Sequence, residues 1–204
     1  MKKTLLSTSL YLSVCCTAHA APTLLTSAAD SSLAGAATLD FNAEPLGSFT
    51  SRIFSGAVTF SAIDHLFVEN TYAGLYAATG NYLSNQTNPN PTNIGFSAGV
   101  SAFGFNWGAA DQPWVLEVFD TASNLIGSFN IPAQTDPYAG FIGINGGGLT
   151  IGSARLTNQS DYGYDYFLID DFKFVSANQN NIPEPTSIAL LGLGVAGLIR
   201  RRKA

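Results

Sequence analysis

Two cysteines, two histidines and one methionine are all that the 204 residues hold of those types. Both cysteines, Cys15 and Cys16, lie before residue 21. Beyond that point no disulfide, thiol nucleophile or thiolate metal ligand is available. His65 is the one histidine after residue 20, which excludes a multi-histidine metal site. Standing beside Asp64 in a polar stretch, it reads as a surface residue. Cations are just as scarce. Between Ala21 and Asn181 only Arg52, Arg155 and Lys173 are basic, against thirteen carboxylates, a net of −10 where the whole chain carries −5. No basic patch can neutralise phosphates, so nucleic acid is excluded as a partner. An acidic, Asn-rich surface suits divalent cations or neutral glycans. A sustained helical stripe is also missing from this region.

The remaining cations sit at the two ends. Lys2 and Lys3 precede a mostly apolar run, Leu5 to Val14, and then Ala18-His19-Ala20. A positive start, a short apolar stretch and a small-x-small site make residues 1–20 a Sec-type signal peptide. Cleavage by signal peptidase is expected after Ala20, with Ala18 and Ala20 as the small recognition residues. At the other end, Pro183-Glu184-Pro185 leads into thirteen uncharged residues, 187–199, and then Arg200-Arg201-Arg202-Lys203. A helix over 187–199 covers roughly 20 Å of a hydrocarbon core of about 30 Å. Arginine snorkelling lengthens it. The four cations orient such a segment with its C-terminus in the cytoplasm, so that the domain lies outside the inner membrane. The two prolines keep 183–185 extended and open to a protease. Gly192-Leu193-Gly194-Val195-Ala196-Gly197 fits a dinucleotide fingerprint in letters only, since the chain ends seven residues later.

Residues 183–204 closely resemble the PEP-CTERM sorting signal, also catalogued as an ice-binding protein C-terminal domain. The resemblance rests on Pro-Glu-Pro, the short Leu/Gly/Ala segment and the terminal arginines. It implies recognition of Pro183, Glu184 and Pro185 by exosortase, a transient stay in the inner membrane and delivery to the surface of a Gram-negative, exopolysaccharide-making cell. The alternative for the same residues is an ordinary C-terminal anchor. The domain itself shows no regular Thr-x-Thr repeat that would suggest ice binding.

The signals leave about 160 residues, enough for one domain with a core. Residues 21–37 read as a flexible, featureless lead, 38–176 as the domain and 177–182 as a linker. Within the domain the apolar period is two. Strands are expected at Thr38–Asn42, Ala57–Ala62, Ile94–Ser97, Ser101–Trp107, Trp114–Asp120, Leu125–Ile131, Phe141–Ile144, Leu149–Leu156 and Tyr164–Val175. The region from Tyr72 to Asn93 is rich in Asn, Thr, Gly and Pro and reads as loop. Trp107 and Trp114 are expected in the core. The whole is expected to be an all-β, antiparallel two-sheet sandwich or jelly roll, flanked by the signal helix and the short apolar helix. The closing Ile169-Asp170-Asp171-Phe172 resembles the last strand of galactose-binding-like jelly rolls, including carbohydrate-binding modules.

Three chemistries compete for the polar residues. Asp161, Asp165, Asp170 and Asp171 crowd the last strand, and two carboxylates in different environments can hydrolyse a glycoside. A structural Ca2+ could instead take oxygens from Asp40, Asn42, Glu44, Asp170 and Asp171, if the first and last strands are neighbours. In a regular strand Asp170 and Asp171 point to opposite faces, so only one of them would face such a site. The plainer reading has these side chains capping strand ends by backbone hydrogen bonds. Finally, Tyr72, Tyr76, Tyr82, Tyr138, Tyr162, Tyr164 and Tyr166 could stack on sugars. Tyr162, Tyr164 and Tyr166 share one strand face if their segment is extended, and there they form either a glycan platform or a half-buried strand. The composite expectation is a non-enzymatic surface or matrix protein associated with exopolysaccharide. A carbohydrate-binding module with structural calcium is the alternative, and a glycosidase the less favoured one.

Overall fold

The computed structural model describes residues 19–86, 91–160 and 163–177. In chain order these form β1 (Thr23–Leu25), a 3-10 turn (Ser31–Leu33), β2 (Ala37–Leu39), β3 (Gly47–Phe54), β4 (Val58–Glu69), β5 (Tyr82–Ser84) and β6 (Thr92–Gly108). Then follow β7 (Trp114–Asp120), β8 (Leu125–Ile131), β9 (Ala139–Asn145), β10 (Ile151–Asn158) and β11 (Leu168–Ser176). The strand pairings are antiparallel. The described residues are thus all-β, as their period-two pattern requires. In β7, for example, Trp114, Leu116 and Val118 are buried while Val115 and Glu117 are half-buried.

β6 belongs to both layers of the sandwich. Its first part, Thr92 to Phe96, lies between β4 and β10. Its second part lies between β9 and β11. The partners change around Gly99, which has φ +67° and no room for a side chain: a Cβ there would meet Thr150 Cγ2 at 2.6 Å. One layer therefore runs β3-β4-β6-β10-β7-β8 and the other β1-β9-β6-β11-β2, with β5 joining the end of β4 to β11. Between them lies an aromatic core. Phe172 of β11 stacks on Phe103 and Phe105, with ring centroids 6.0 and 5.6 Å away, and meets Phe60 edge-on at 5.3 Å. Trp107 and Trp114 cross the core edge-on at 5.6 Å, and both are buried as expected.

Four local expectations are corrected. The lead over 21–37 is not featureless: β1 pairs with β9, and Leu25 and Leu33 pack with Ala102 on the outer side of the second layer. The two short strands at 94–97 and 101–107 are one long β6. The loop expected over 72–93 contains β5 and the start of β6. The last strand begins at Leu168, not Tyr164, so Tyr164 and Tyr166 lie in an irregular approach to it. Residues 161–162, with Asp161 and Tyr162, are outside the described residues, as are the signal helix, Ala18, the linker beyond Ala177 and the whole tail 183–204. Ala20 is exposed, three residues before β1. Among the described residues no helix is long and apolar enough to cross a membrane.

Since Phe172 touches aromatic rings from β4 and β6, its truncation leaves a cavity bordered by both layers. Phe172→Ala is expected to lower the unfolding free energy by about 3–5 kcal/mol, read by urea denaturation.

Candidate functional site

At the end of the sandwich where β4, β5 and β6 finish and β9 and β11 start, five tyrosines line one cleft of about 630 Å³. They are Tyr72 and Tyr76 from the loop after β4, Tyr138 just before β9, and Tyr164 and Tyr166 before β11. Thr71, Gln86, Ala109 and Asp111 complete the lining. The rings form a row: Tyr166 to Tyr72 at 6.0 Å, Tyr72 to Tyr76 at 5.9 Å and Tyr76 to Tyr138 at 6.5 Å, each edge-on. Tyr164 is 52% exposed and Tyr72 40%. Five of the seven tyrosines singled out in the sequence thus come together, although not on a strand face. Tyr82 is buried and serves as a support, its hydroxyl accepting the Tyr72 N–H at 2.9 Å.

The backbone around the cleft is strained. Tyr76, Ala77, Ala109 and Tyr138 have φ of 53°, 59°, 62° and 51°. Side-chain-bearing residues avoid this left-handed region at a cost of about 1–2 kcal/mol each. The conformation is held by close packing. A Cβ on Gly108 would collide with the Tyr76 carbonyl, so only glycine lets the loop lie against the end of β6. The Ala109 N–H donates to the Tyr138 carbonyl at 2.9 Å and ties the two strained segments together.

Buried carboxylates latch the loops. Asp170 Oδ2 accepts the Thr79 N–H at 2.7 Å and the Thr79 hydroxyl at 3.2 Å. The Asn106 amide donates to the Ala77 carbonyl at 3.1 Å and to Asp171 Oδ2 at 3.0 Å. Asn42 Oδ1 accepts the Asn81 N–H at 2.9 Å, and the Asn81 amide donates to the Glu44 carbonyl at 3.2 Å. Asp40 Oδ1 takes the Asn42 N–H at 3.1 Å. On the far rim, Asp165 accepts the Trp114 indole N–H at 2.6 Å, the N–H groups of Asp111 and Gln112 at 3.3 and 3.2 Å, and that of Tyr166 at 2.9 Å. At the floor, Glu69 accepts hydrogen bonds from Ser84, Gln86, the Tyr166 hydroxyl at 2.7 Å and the Thr71 hydroxyl. Burial and this carboxylate raise the Tyr166 pKa, keeping its hydroxyl a donor. Glu69, Gln86 and Asp111 went unnoticed in the sequence because they are single polar residues without a repeat.

Of the residues suggested for calcium, Asp40, Asn42, Asp170 and Asp171 accept hydrogen bonds from the domain's own groups. β2 does pair with β11, so the first and last parts of the chain meet as expected. The alternation of Asp170 and Asp171 is corrected, however. A bulge with Asp171 at φ 47° interrupts β11; Asp170 holds Thr79 directly, while Asp171 accepts the Asn106 amide, which also donates to the Ala77 carbonyl. Among the described residues no group of three or more carboxylates or histidines is placed to hold a metal. His65 is exposed on β4 beside Asp64, its Nδ1 2.7 Å from Oδ1.

Beyond the domain, residues 181–203 match the family described as the PEP-CTERM protein-sorting motif. The chain carries a PEP-CTERM sorting motif. The motif marks a substrate of exosortase and a destination at the cell surface or outside the cell. No curated protein matches the chain. Three solved structures are similar to it at a low level. A glycoside hydrolase family 43 arabinoxylan arabinofuranohydrolase from Bacillus subtilis, in complex with cellotetraose, aligns over 54% of this chain at 17% identity, with a TM-score of 0.37. This chain spans only 24% of that protein. The K2 cleaved adhesin domain of Lys-gingipain aligns over 70% of this chain and 98% of its own, at 12% identity and a TM-score of 0.42. Carbohydrate-binding module CBM36, in complex with calcium and xylotriose, aligns over 68% and 98%, at 14% identity and a TM-score of 0.29. Similarities this slight say nothing of what the cleft of the PEP-CTERM chain takes.

Two expectations follow from the latches and the strain. Burial pushes Asp165 and Asp170 up to about 6 from 3.8. Between those values the folded chain binds more protons than the unfolded one, so both groups stabilise the fold as pH falls and the gain is lost as pH rises through about 6. Unfolding free energy is expected to increase by on the order of 2 kcal/mol from pH 7 to pH 4.5, and Asp165→Asn and Asp170→Asn should each flatten that slope in urea titrations. Asp30 and Asp120, whose pKa values are lowered by their hydrogen bonds to Ser32 and Asn124, act only below this window. Secondly, Tyr76→Gly is expected to be about 1 kcal/mol more stable than Tyr76→Ala, because glycine relieves the left-handed backbone while both lose the ring.

Proposed function

We propose that the domain is a non-catalytic glycan-binding module, exported by the Sec route and held briefly in the inner membrane before exosortase releases it to the surface. There it retains the cell's exopolysaccharide in the tyrosine cleft. The observation that carries this reading is the row of tyrosines itself, partly exposed beside an open cleft, with Tyr76 and Tyr138 held at strained backbone positions. The C–H face of a pyranose is apolar and slightly positive and suits the negative face of a tyrosine ring. The hydroxyls of the tyrosines and of Thr71 and the side-chain amide of Gln86 at the margin suit the equatorial hydroxyls of a sugar.

A non-catalytic role is supported by the condition of the acids. Asp165, Asp170 and Glu69 accept hydrogen bonds from backbone or side-chain donors of the domain itself. Asp111 is the one carboxylate among the described residues lining the cleft, whereas glycoside hydrolysis ordinarily needs a facing pair.

Binding to purified exopolysaccharide fragments, measured by titration calorimetry, is expected to fall at least about ten-fold in Tyr72→Ala and in Tyr164→Ala, with melting temperature nearly unchanged in Tyr164→Ala, where the residue is 52% exposed, and modestly lowered in Tyr72→Ala, which is 40% exposed and meets Tyr76 and Tyr166. Deleting 183–204 should abolish surface delivery in a host with exosortase while leaving binding by the purified domain intact. Unaltered affinity in both tyrosine variants, or release of reducing ends from the bound glycan, would overturn the proposal.

A further inference from the structure

We infer that the glycan taken by the tyrosine cleft is one without carboxylate or sulfate groups; this deepens the glycan-binding reading and rests on it. An acidic polysaccharide is ordinarily held by arginine or lysine, whose N–H groups match its anions. The domain between the two sorting signals has three such residues, and each is placed elsewhere. Arg52 donates to the Pro45 carbonyl at 3.1 Å and lies over the Phe49 ring at 4.6 Å. Arg155 pairs with Glu117 at 2.7 Å and lies over Phe119 at 5.4 Å. Lys173 is within β11, opposite Thr38 and Gly104. None of them lines the cleft. The sequence over 87–90 and 161–162 supplies no Lys or Arg either.

The charge that the cleft does have is of the opposite sign. Asp111 stands in its wall. Glu69 lies beneath Tyr166 and Gln86, and Asp165 lies beneath the Asp111–Gln112 backbone. A glycan acid entering the cleft would approach these carboxylates with no counter-charge, against a low-dielectric wall that strengthens the repulsion. A hydroxyl-only sugar meets tyrosine faces, a threonine and an amide, and has no charge to desolvate. The discrimination is therefore one of exclusion: neutral chains enter, uronic and sulfated chains are turned away.

The test uses the full domain and matched probes, oligogalacturonides and their fully methyl-esterified forms, together with neutral gluco- and xylo-oligosaccharides. The esterified and neutral chains are expected to bind, and the free acids to bind at least about ten-fold more weakly at low ionic strength, with the gap narrowing as salt screens the wall. In Asp111→Lys the preference should shift toward the free acids. Free acids bound as tightly as their esters by the wild-type chain, or a preference unmoved by salt and by Asp111→Lys, would overturn the inference while leaving the glycan reading in place. Failure of all the probes and of the cell's own exopolysaccharide to bind would remove both.

Discussion

A carboxylate taken out of water must be given hydrogen-bond donors, and in this domain that requirement shapes the functional end. Asp170 is 1% exposed and Asp165 3%. Each sits at the start of β11 or just before it, where the layers close and few backbone donors are free. Besides the N–H of the next residue and, for Asp165, the Trp114 indole, the donors come from loops: Thr79 for Asp170, Asp111 and Gln112 for Asp165. Those loops are the two walls of the tyrosine cleft. Burial keeps the acids costly in their charged state, and the loops must stay docked to compensate it. Glu69 plays the same part at the floor, where it orients Tyr166 through its hydroxyl. The cleft is thus built on buried anions that a ligand does not reach.

The long β6 gives those anions a rigid frame. Because one strand serves both layers, the orientation of the layers is fixed by the chain itself and by the stacking of Phe103 and Phe105 on Phe172. Its last residue, Gly108, is the surface on which the Tyr76 loop rests. Core, frame and cleft therefore form one connected path. Strain at Tyr76 and Tyr138 persists because the path over-determines those positions.

Much of the fold could be read from alternation alone. Trp114–Asp120 and Leu125–Ile131 have the bounds expected, since a half-buried hairpin shows its period plainly. The lead was missed because only Leu25 and Leu33 anchor it among small polar residues. The last strand was started too early because Tyr164 and Tyr166 keep a period of two in letters where the backbone does not. The tyrosines were legible as a group, but their meeting place was not: it depends on five segments far apart in sequence. The acidic motif at 170–171 was legible as a set of oxygen acceptors, for a metal or for capping, but composition cannot show that a bulge interrupts β11 there or that Thr79 and Asn106 donate to the two carboxylates. The sorting motif was legible in full, since its message is linear and needs no fold.

The position of β11 also bears on how the domain meets force. This strand leads toward the sorting motif, and it lies inside its layer, flanked by β2 and β5 on one side and β6 on the other. On the proposed surface role, a pull applied to the C-terminal side of the domain is directed along that strand. Its flanking hydrogen bonds then carry the load together, in shear, instead of parting one after another as they would along a peeled edge. β11 runs from the cleft end of the sandwich to Ser176, so a pull between the two ends of the strand passes through the aromatic core around Phe172.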